Sequence, residues 1–259
     1  MNGLRIAVAG KGGAGKTTVS ATLARLTARQ GLRVIVIDGD SNPNVAIALG
    51  VSREQATALA PLPTGLVSRR LHGPGLVDTV SDVVARHGIP AADGITVLLM
   101  ALPAHADEGC LCSAHATVSA LLADAGNESG TVTIVDLEAS PEHLSRGTTR
   151  HVDALLLVVE PYFRSFETAR RMAELAAELP IPQVCVVANK LRRPDDALAI
   201  SEFCDRHNLT LVSQLPWSDA ALDADAAGIP LLDRAPDDPL VAGVAQLGDY
   251  LFGALTPIA

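Results

Sequence analysis

The sequence predicts an α/β fold: a mostly parallel central sheet flanked by helices, as one domain over 1–259. Three observations predict it. Short apolar runs alternate with helical patterns along nearly the whole chain, the order that builds parallel strands joined by crossover helices. The runs are rich in Val, Ile and Leu, as strands buried on both faces are. A glycine-rich turn follows the first run and opens the first helical stretch, which is the setting of a phosphate-binding loop.

Taken in order, the predicted strands are Leu4–Ala9, Arg33–Asp38, Thr96–Met100, Thr131–Asp136, Leu155–Val159, Val184–Asn189 and Thr210–Gln214. Each is too short and too continuously apolar for a surface helix. Helices are predicted at Thr17–Gln30, Ala114–Ala125, Ser165–Leu179 and Asp195–His207. Right-handed crossovers then place the C-terminal ends of the strands on one edge, where ligands bind in such sheets. The stretch 52–94, with Pro61, Pro63, Gly65, Gly73, Pro74 and Gly75, is the least regular and is expected to be a helical excursion or a flap.

Hydrophobic residues make up 48% of the chain and aromatics only 3%, so the core must be aliphatic. A net charge of −9 argues against general affinity for nucleic acid or anionic lipid. The basic groups at Arg146 and Arg150, at Arg164, Arg170 and Arg171, and at Arg192 and Arg193 are read as solvated helix faces. No apolar run reaches the ~18–20 residues of a membrane span, and no signal stretch precedes the first strand, so a cytoplasmic location is expected. Of the four cysteines, Cys185 and Cys204 lie in a strand-like and a helix-like segment and are expected to be ordinary buried thiols.

Gly10-Lys11-Gly12-Gly13-Ala14-Gly15-Lys16-Thr17-Thr18 satisfies G-x-x-x-x-G-K-[ST]. Glycines let backbone N–H groups close on phosphate oxygens, and the helix that begins near Lys16 adds its positive end. Lys16 is expected to reach the β- and γ-phosphates, and the Thr17 hydroxyl to ligate Mg²⁺. The second strand ends in Asp38-Gly39-Asp40, two carboxylates at the ligand edge of the sheet. Asp38 is expected either to support the Mg²⁺ shell or to cap the helix that follows. Asp136, closing an apolar strand, suits a carboxylate that holds Mg²⁺ through water.

Glu108-Gly109-Cys110-Leu111-Cys112 precedes a helical segment. An i, i+2 spacing in extended backbone points both thiols to one side. A disulfide between such neighbours is strained, so metal binding is the expected use, although two thiolates do not complete a tetrahedral site. His105, His115, water or a second copy of the chain must supply the rest.

Lys11, directly after the first glycine, resembles the deviant phosphate loop K-G-G-x-G-K-T-T of the MinD/ParA/nitrogenase-iron-protein superfamily. That resemblance implies an ATPase that dimerises around ATP, with Lys11 crossing to the partner's phosphates and Asp40 orienting the attacking water. Val186-Val187-Ala188-Asn189-Lys190 resembles the superfamily's strand-end N-K element, in which the asparagine reads adenine. Leu215-Pro216-Trp217-Ser218-Asp219, with Ala224-Asp225 and Gly228-Ile229-Pro230, resembles its base-closing tail. ATP and ADP rather than guanine nucleotides are therefore expected.

The cysteine pair together with Asp136-Leu137-Glu138-Ala139-Ser140-Pro141-Glu142-His143-Leu144-Ser145-Arg146-Gly147-Thr148 is similar to the CooC-type maturation ATPases of carbon monoxide dehydrogenase. This implies a nucleotide- and metal-dependent homodimer that binds Ni²⁺ or Zn²⁺ at Cys110 and Cys112 and serves a client metalloenzyme, with no nucleic acid or membrane partner. The family's switch II glycine is replaced by Ser140-Pro141, which stiffens the loop. His143 is read as a structural hydrogen-bonding group on that segment. Two other readings share the fold. An iron–sulfur electron-transfer ATPase needs a second cysteine near switch II, and none lies between Cys112 and Cys185. A MinD/ParA-type positioning ATPase directed to membrane needs a basic terminal helix, whereas Leu247 to Ala259 holds no Lys or Arg.

Overall fold

A computed structural model of the chain describes residues 2–40, 44–70, 73–100 and 112–255. Strand β1 (Leu4–Gly10) runs through the glycine turn into helix α1 (Lys16–Arg29), followed by β2 (Arg33–Gly39), α2 (Val45–Ala48) and α3 (Arg53–Ala58). The excursion then folds as a hairpin, β3 (Val67–Arg70) and β4 (Gly73–Leu76), with α4 (Val80–His87), β5 (Ile89–Pro90) and β6 (Thr96–Leu99) after it. Helix α5 (Cys112–Ala125), β7 (Thr131–Leu137), α6 (Glu142–Ser145), β8 (Ala154–Val159) and α7 (Phe163–Ala177) come next. The chain continues with β9 (Gln183–Leu191), α8 (Pro194–His207), β10 (Thr210–Pro216), α9 (Asp219–Ala227), α10 (Leu231–Arg234) and α11 (Pro239–Leu255).

Among the described residues eight strands form the main sheet, in the order β10-β9-β8-β1-β7-β2-β6-β5. Every pairing in it is parallel except β5 on β6. The seven strands expected from sequence all occur. The short edge strand β5 and the separate β3–β4 hairpin were not among them. Pro90 explains the first, because a strand that cannot donate to a ladder is confined to an edge. In the second, Gly73, Pro74 and Gly75, read as irregular, pair antiparallel with Val67–Arg70 instead.

Side-chain alternation along β1 divides the core into two layers. Ile6 and Val8 join Val34, Val36, Ile134 and Leu156 on the face covered by α1 and α11. Ala7 and Ala9 join Ile35, Ile37, Val135 and Leu157 on the face covered by α5, α7 and α8. The aliphatic packing anticipated from the scarcity of aromatics is what fills both. Helix α1 is fixed from its far end by charge: Arg25, 3% exposed, meets Asp93 at 2.6 Å and Asp233 at 2.7 Å. These carboxylates precede β6 and close α10, so the helix that carries the phosphate loop is tied to two remote segments. No helix among the described residues is long and apolar enough to cross a membrane.

Candidate functional site

The ends of β1, β2, β7 and β9 meet at one sheet edge, around the turn between β1 and α1. Gly15 occupies the N-cap of α1 with φ 95°, and no side chain caps the first turn. The helix therefore presents unsatisfied N–H groups and its positive end to whatever lies above it. A Cβ on Gly15 would strike the Asn189 amide as well as strain the backbone. Asn189 Nδ2 donates to the Ala14 carbonyl at 2.7 Å, and Lys190 Nζ donates to the Gly13 carbonyl, so β9 grips the loop twice. Glu160 pairs with the Lys190 ammonium at 3.1 Å and holds it there.

Above the loop lies a cavity of about 300 Å³. Gly12, Gly13, Gly15, Lys16, Thr17 and Thr18 form its floor, with Asp40 on one flank and Asn189, Pro216, Trp217 and Asp225 on the other. Ala14 is buried and contributes only its carbonyl to Asn189. Asp219 does not line the cavity; it accepts the Trp217 indole N–H at 2.8 Å and so fixes the ring that does. Arg192 stacks on that indole, its guanidinium carbon 3.7 Å from the ring centroid. Asn189 Oδ1 is buried and has no hydrogen-bond partner, an acceptor of the kind that an exocyclic amine satisfies.

Beneath Thr17 sits an acidic pair. Asp136 accepts from the Thr17 hydroxyl at 2.6 Å and from Ser20 at 3.0 Å. Asp38 accepts from the Val45 and Asp40 N–H groups at 2.9 and 3.2 Å. It thus does hold the start of α2, as the capping reading anticipated, while remaining beside Asp136 on the adjacent strand. Burial first, and then repulsion from Asp136, pushes the Asp38 carboxyl up to about 7. Burial likewise raises Asp136 to about 6, against the opposing pull of the Thr17 hydroxyl and the Lys16 ammonium. Two buried carboxylates whose charges are this poorly solvated suit a divalent cation. Mg²⁺ commonly takes one or two carboxylates and completes its octahedron with phosphates and water. The Thr17 hydroxyl, Asp136 and Asp38 fit that donor set. Ser20, one turn beyond Lys16 on the buried side of α1, donates to Asp136 and so fixes that carboxylate, and only helical periodicity could have pointed to it.

Lys11 lies outside the cavity. Its ammonium is 3.5 Å from the Gly12 carbonyl and 5.7 Å from the centre of the Tyr162 ring. Tyr162 in turn donates to Glu160 at 2.9 Å.

The segment after β7 leads away from the acidic pair. Pro141 is the N-cap of α6 with φ −73°, so of the Ser140-Pro141 pair found where the family's glycine was expected, the proline serves as a helix start. His143, 1% exposed, places Nε2 3.0 Å from the Gly39 carbonyl. Its ring meets His115 of α5 edge to face at 4.7 Å. Burial, and then His115, hold the His143 imidazole down at about 4. Arg146 pairs with Glu142 at 2.7 Å and points Nη1 at Cys112 Sγ, 3.0 Å away. Cys112 opens α5 and is disulfide-bonded, so the pair of free thiolates expected from sequence requires reduction of that bond. Cys110 lies outside the described residues, as does His105. Among the described residues no three His, Cys, Asp or Glu side chains gather into a metal cage. Cys185 and Cys204 are free and buried, and burial raises both thiols, Cys204 to about 11.

Residues 6–231 match the CobQ/CobB/MinD/ParA nucleotide-binding domain. The chain belongs to this family. Within it, the chain is 38% identical to the carbon monoxide dehydrogenase accessory protein CooC of Rhodospirillum rubrum, over 90% of this chain and 91% of that one. It is 33% identical to an uncharacterised ATP-binding protein of Methanocaldococcus jannaschii, covering 88% and 91% of the two chains. Among solved structures, the cell-division protein MinD of Aquifex aeolicus superposes with a TM-score of 0.69 at 19% identity, over 99% and 100% of the chains. That last likeness concerns the fold. A CooC homologue of the MinD/ParA nucleotide-binding family is an ATPase.

Proposed function

We propose that the protein is an ATP-driven metallochaperone, a single P-loop domain that carries Ni²⁺ or Zn²⁺ to a client metalloenzyme in the cytoplasm; its R. rubrum relative is named an accessory protein of carbon monoxide dehydrogenase. One observation carries this reading beyond the resemblance: the segment following Asp136 touches both centres. Arg146 contacts Cys112 at one end of it, and His143 reaches the strand carbonyl before Asp40 at the other. A change at the γ-phosphate that moves this segment would be felt at the cysteine.

In the proposed cycle Lys16 binds the β- and γ-phosphates, with Thr18 and the loop N–H groups of Gly12, Gly13 and Gly15 on the remaining oxygens. Asn189, Pro216 and Trp217 hold adenine, with Asp219 setting the indole. Mg²⁺, held by Thr17 and Asp136 with Asp38 behind them, supplies charge neutralisation for the phosphates. Asp40 orients the attacking water. Lys11 of each subunit leaves its place over Tyr162 and reaches the other subunit's phosphates, stabilising charge as an arginine finger does. Cys110 and Cys112 from two subunits then offer four thiolates to one ion, a donor set suited to borderline metals.

The test is metal content. Reduced wild type is expected to bind about one Ni²⁺ or Zn²⁺ per two chains, and the Cys110→Ala/Cys112→Ala protein and the oxidised wild type none at that site. Equal metal in reduced wild type and the double variant would overturn the chaperone reading.

A further inference from the structure

Gly39 and Asp40 share one peptide group, and it is held at both ends. The Gly39 carbonyl accepts from His143 Nε2 at 3.0 Å, and the Asp40 N–H donates to Asp38 Oδ1 at 3.2 Å. Because the peptide unit is planar, fixing its oxygen and its N–H fixes the orientation of the bond that leads to the Asp40 Cα, and Asp40 lines the nucleotide cavity. The residue types agree with this arrangement. A carbonyl only accepts, so Nε2 carries the proton and Nδ1 the lone pair. Nδ1 is buried without a hydrogen-bond partner, so the ring makes its one polar contact at Gly39. A Cβ on Gly39 would stand 3.2 Å from His143 Cε1 and 3.1 Å from the Asp136 carbonyl oxygen, so glycine is what lets the imidazole approach. The His115 ring, packed edge-on at 4.7 Å, backs the imidazole from α5.

We infer that His143 is a positioning residue for ATP hydrolysis: its imidazole latches the Gly39–Asp40 peptide and so aims the Asp40 carboxylate at the site of the attacking water. The inference rests on the role proposed above for Asp40. It places the latch on the segment that follows Asp136, so movement of α6 and misalignment of Asp40 are one event.

The experiment compares steady-state ATP turnover and ADP affinity in full-length His143→Leu, His143→Gln, Gly39→Ala and Asp40→Ala. Leucine fills the ring's space without a donor, and glutamine places an N–H near the position of Nε2. His143→Leu is expected to lose about tenfold in kcat, because misplacing a catalytic group by under an ångström costs on that order, with ADP affinity unchanged. His143→Gln should recover most of the loss. Wild-type kcat in His143→Leu overturns the latch, and so does equal loss in both variants accompanied by loss of ADP binding. If the leucine variant does not fold, Gly39→Ala decides, since it displaces the ring from outside: reduced kcat with ADP binding retained supports the latch, and wild-type kcat overturns it. Asp40→Ala separates the two claims. Wild-type turnover there removes Asp40 from the mechanism and the latch with it, whereas a slow Asp40→Ala beside a fast His143→Leu removes the latch alone.

Discussion

Two buried aspartates meet at the ligand edge of the sheet. Asp38 and Asp136 are adjacent on neighbouring strands, and burial raises their carboxyls to about 7 and about 6. A raised carboxyl stabilises the fold most below the ordinary carboxylate pKa, and that contribution is lost as pH rises through the raised values. His143, kept neutral and held at about 4, acts in the opposite sense: its contribution grows from about pH 4 until the unfolded imidazole deprotonates near 6.5. The two trends oppose one another across the same window, so a stability profile alone will not separate them. Proton release on ligand binding will. At pH 6.5 a cation bound beside these carboxylates would displace their protons, and Mg·ADP binding is expected to show a calorimetric enthalpy that varies with the buffer's ionisation heat. At pH 8.5, where both carboxyls are already ionised, the variation should vanish. Asp38→Asn should reduce it at pH 6.5. A buffer-independent enthalpy at pH 6.5 would contradict the raised carboxyls.

At the scale of an element, α1 is the helix on which the site depends. Its N-terminus is left uncapped for phosphate, which costs it the usual side-chain stabilisation. Arg25 offsets this near the other end by joining Asp93 and Asp233. Both carboxylates keep some solvent contact, 22% and 44% exposed, so the network is worth less than a fully buried one. Arg25→Ala is expected to lower stability by about 2 kcal/mol, and Arg25→Met by less because the stem still packs. Urea midpoints measure both; equal midpoints for alanine and wild type would show that the ion pairs contribute nothing. The strand pattern made α1 legible from sequence. The Arg25 pairs were not, since Asp93 and Asp233 lie 68 and 208 residues away.

For the whole molecule, the proposed dimer turns on Lys11. Its ammonium rests over Tyr162 and near the Gly12 carbonyl, two weak contacts that a phosphate would outcompete. Sedimentation with ATP is expected to show wild type shifting to a dimer and Lys11→Ala remaining monomeric. An ATP-dependent dimer of undiminished affinity in Lys11→Ala would remove the crossing role.

Local pattern by itself determined the alternating strands and helices, the phosphate loop and the carboxylates that close β2 and β7. Each of these is a local matter: a run of apolar residues, a spacing of glycines, a charge at a strand end. The resemblance to CooC-type proteins rested on equally local motifs and led to the right family. Only the tertiary structure decided that Asn189 and Lys190 grip the loop, that Asp219 serves Trp217 rather than the cavity, and that His143 meets Gly39 across 104 residues of chain. Such contacts join strands whose neighbours are set by crossover order, β7 lying between β1 and β2 although it follows both. A one-dimensional pattern holds no measure of that distance; the packing of helices on the two faces of the sheet supplies it.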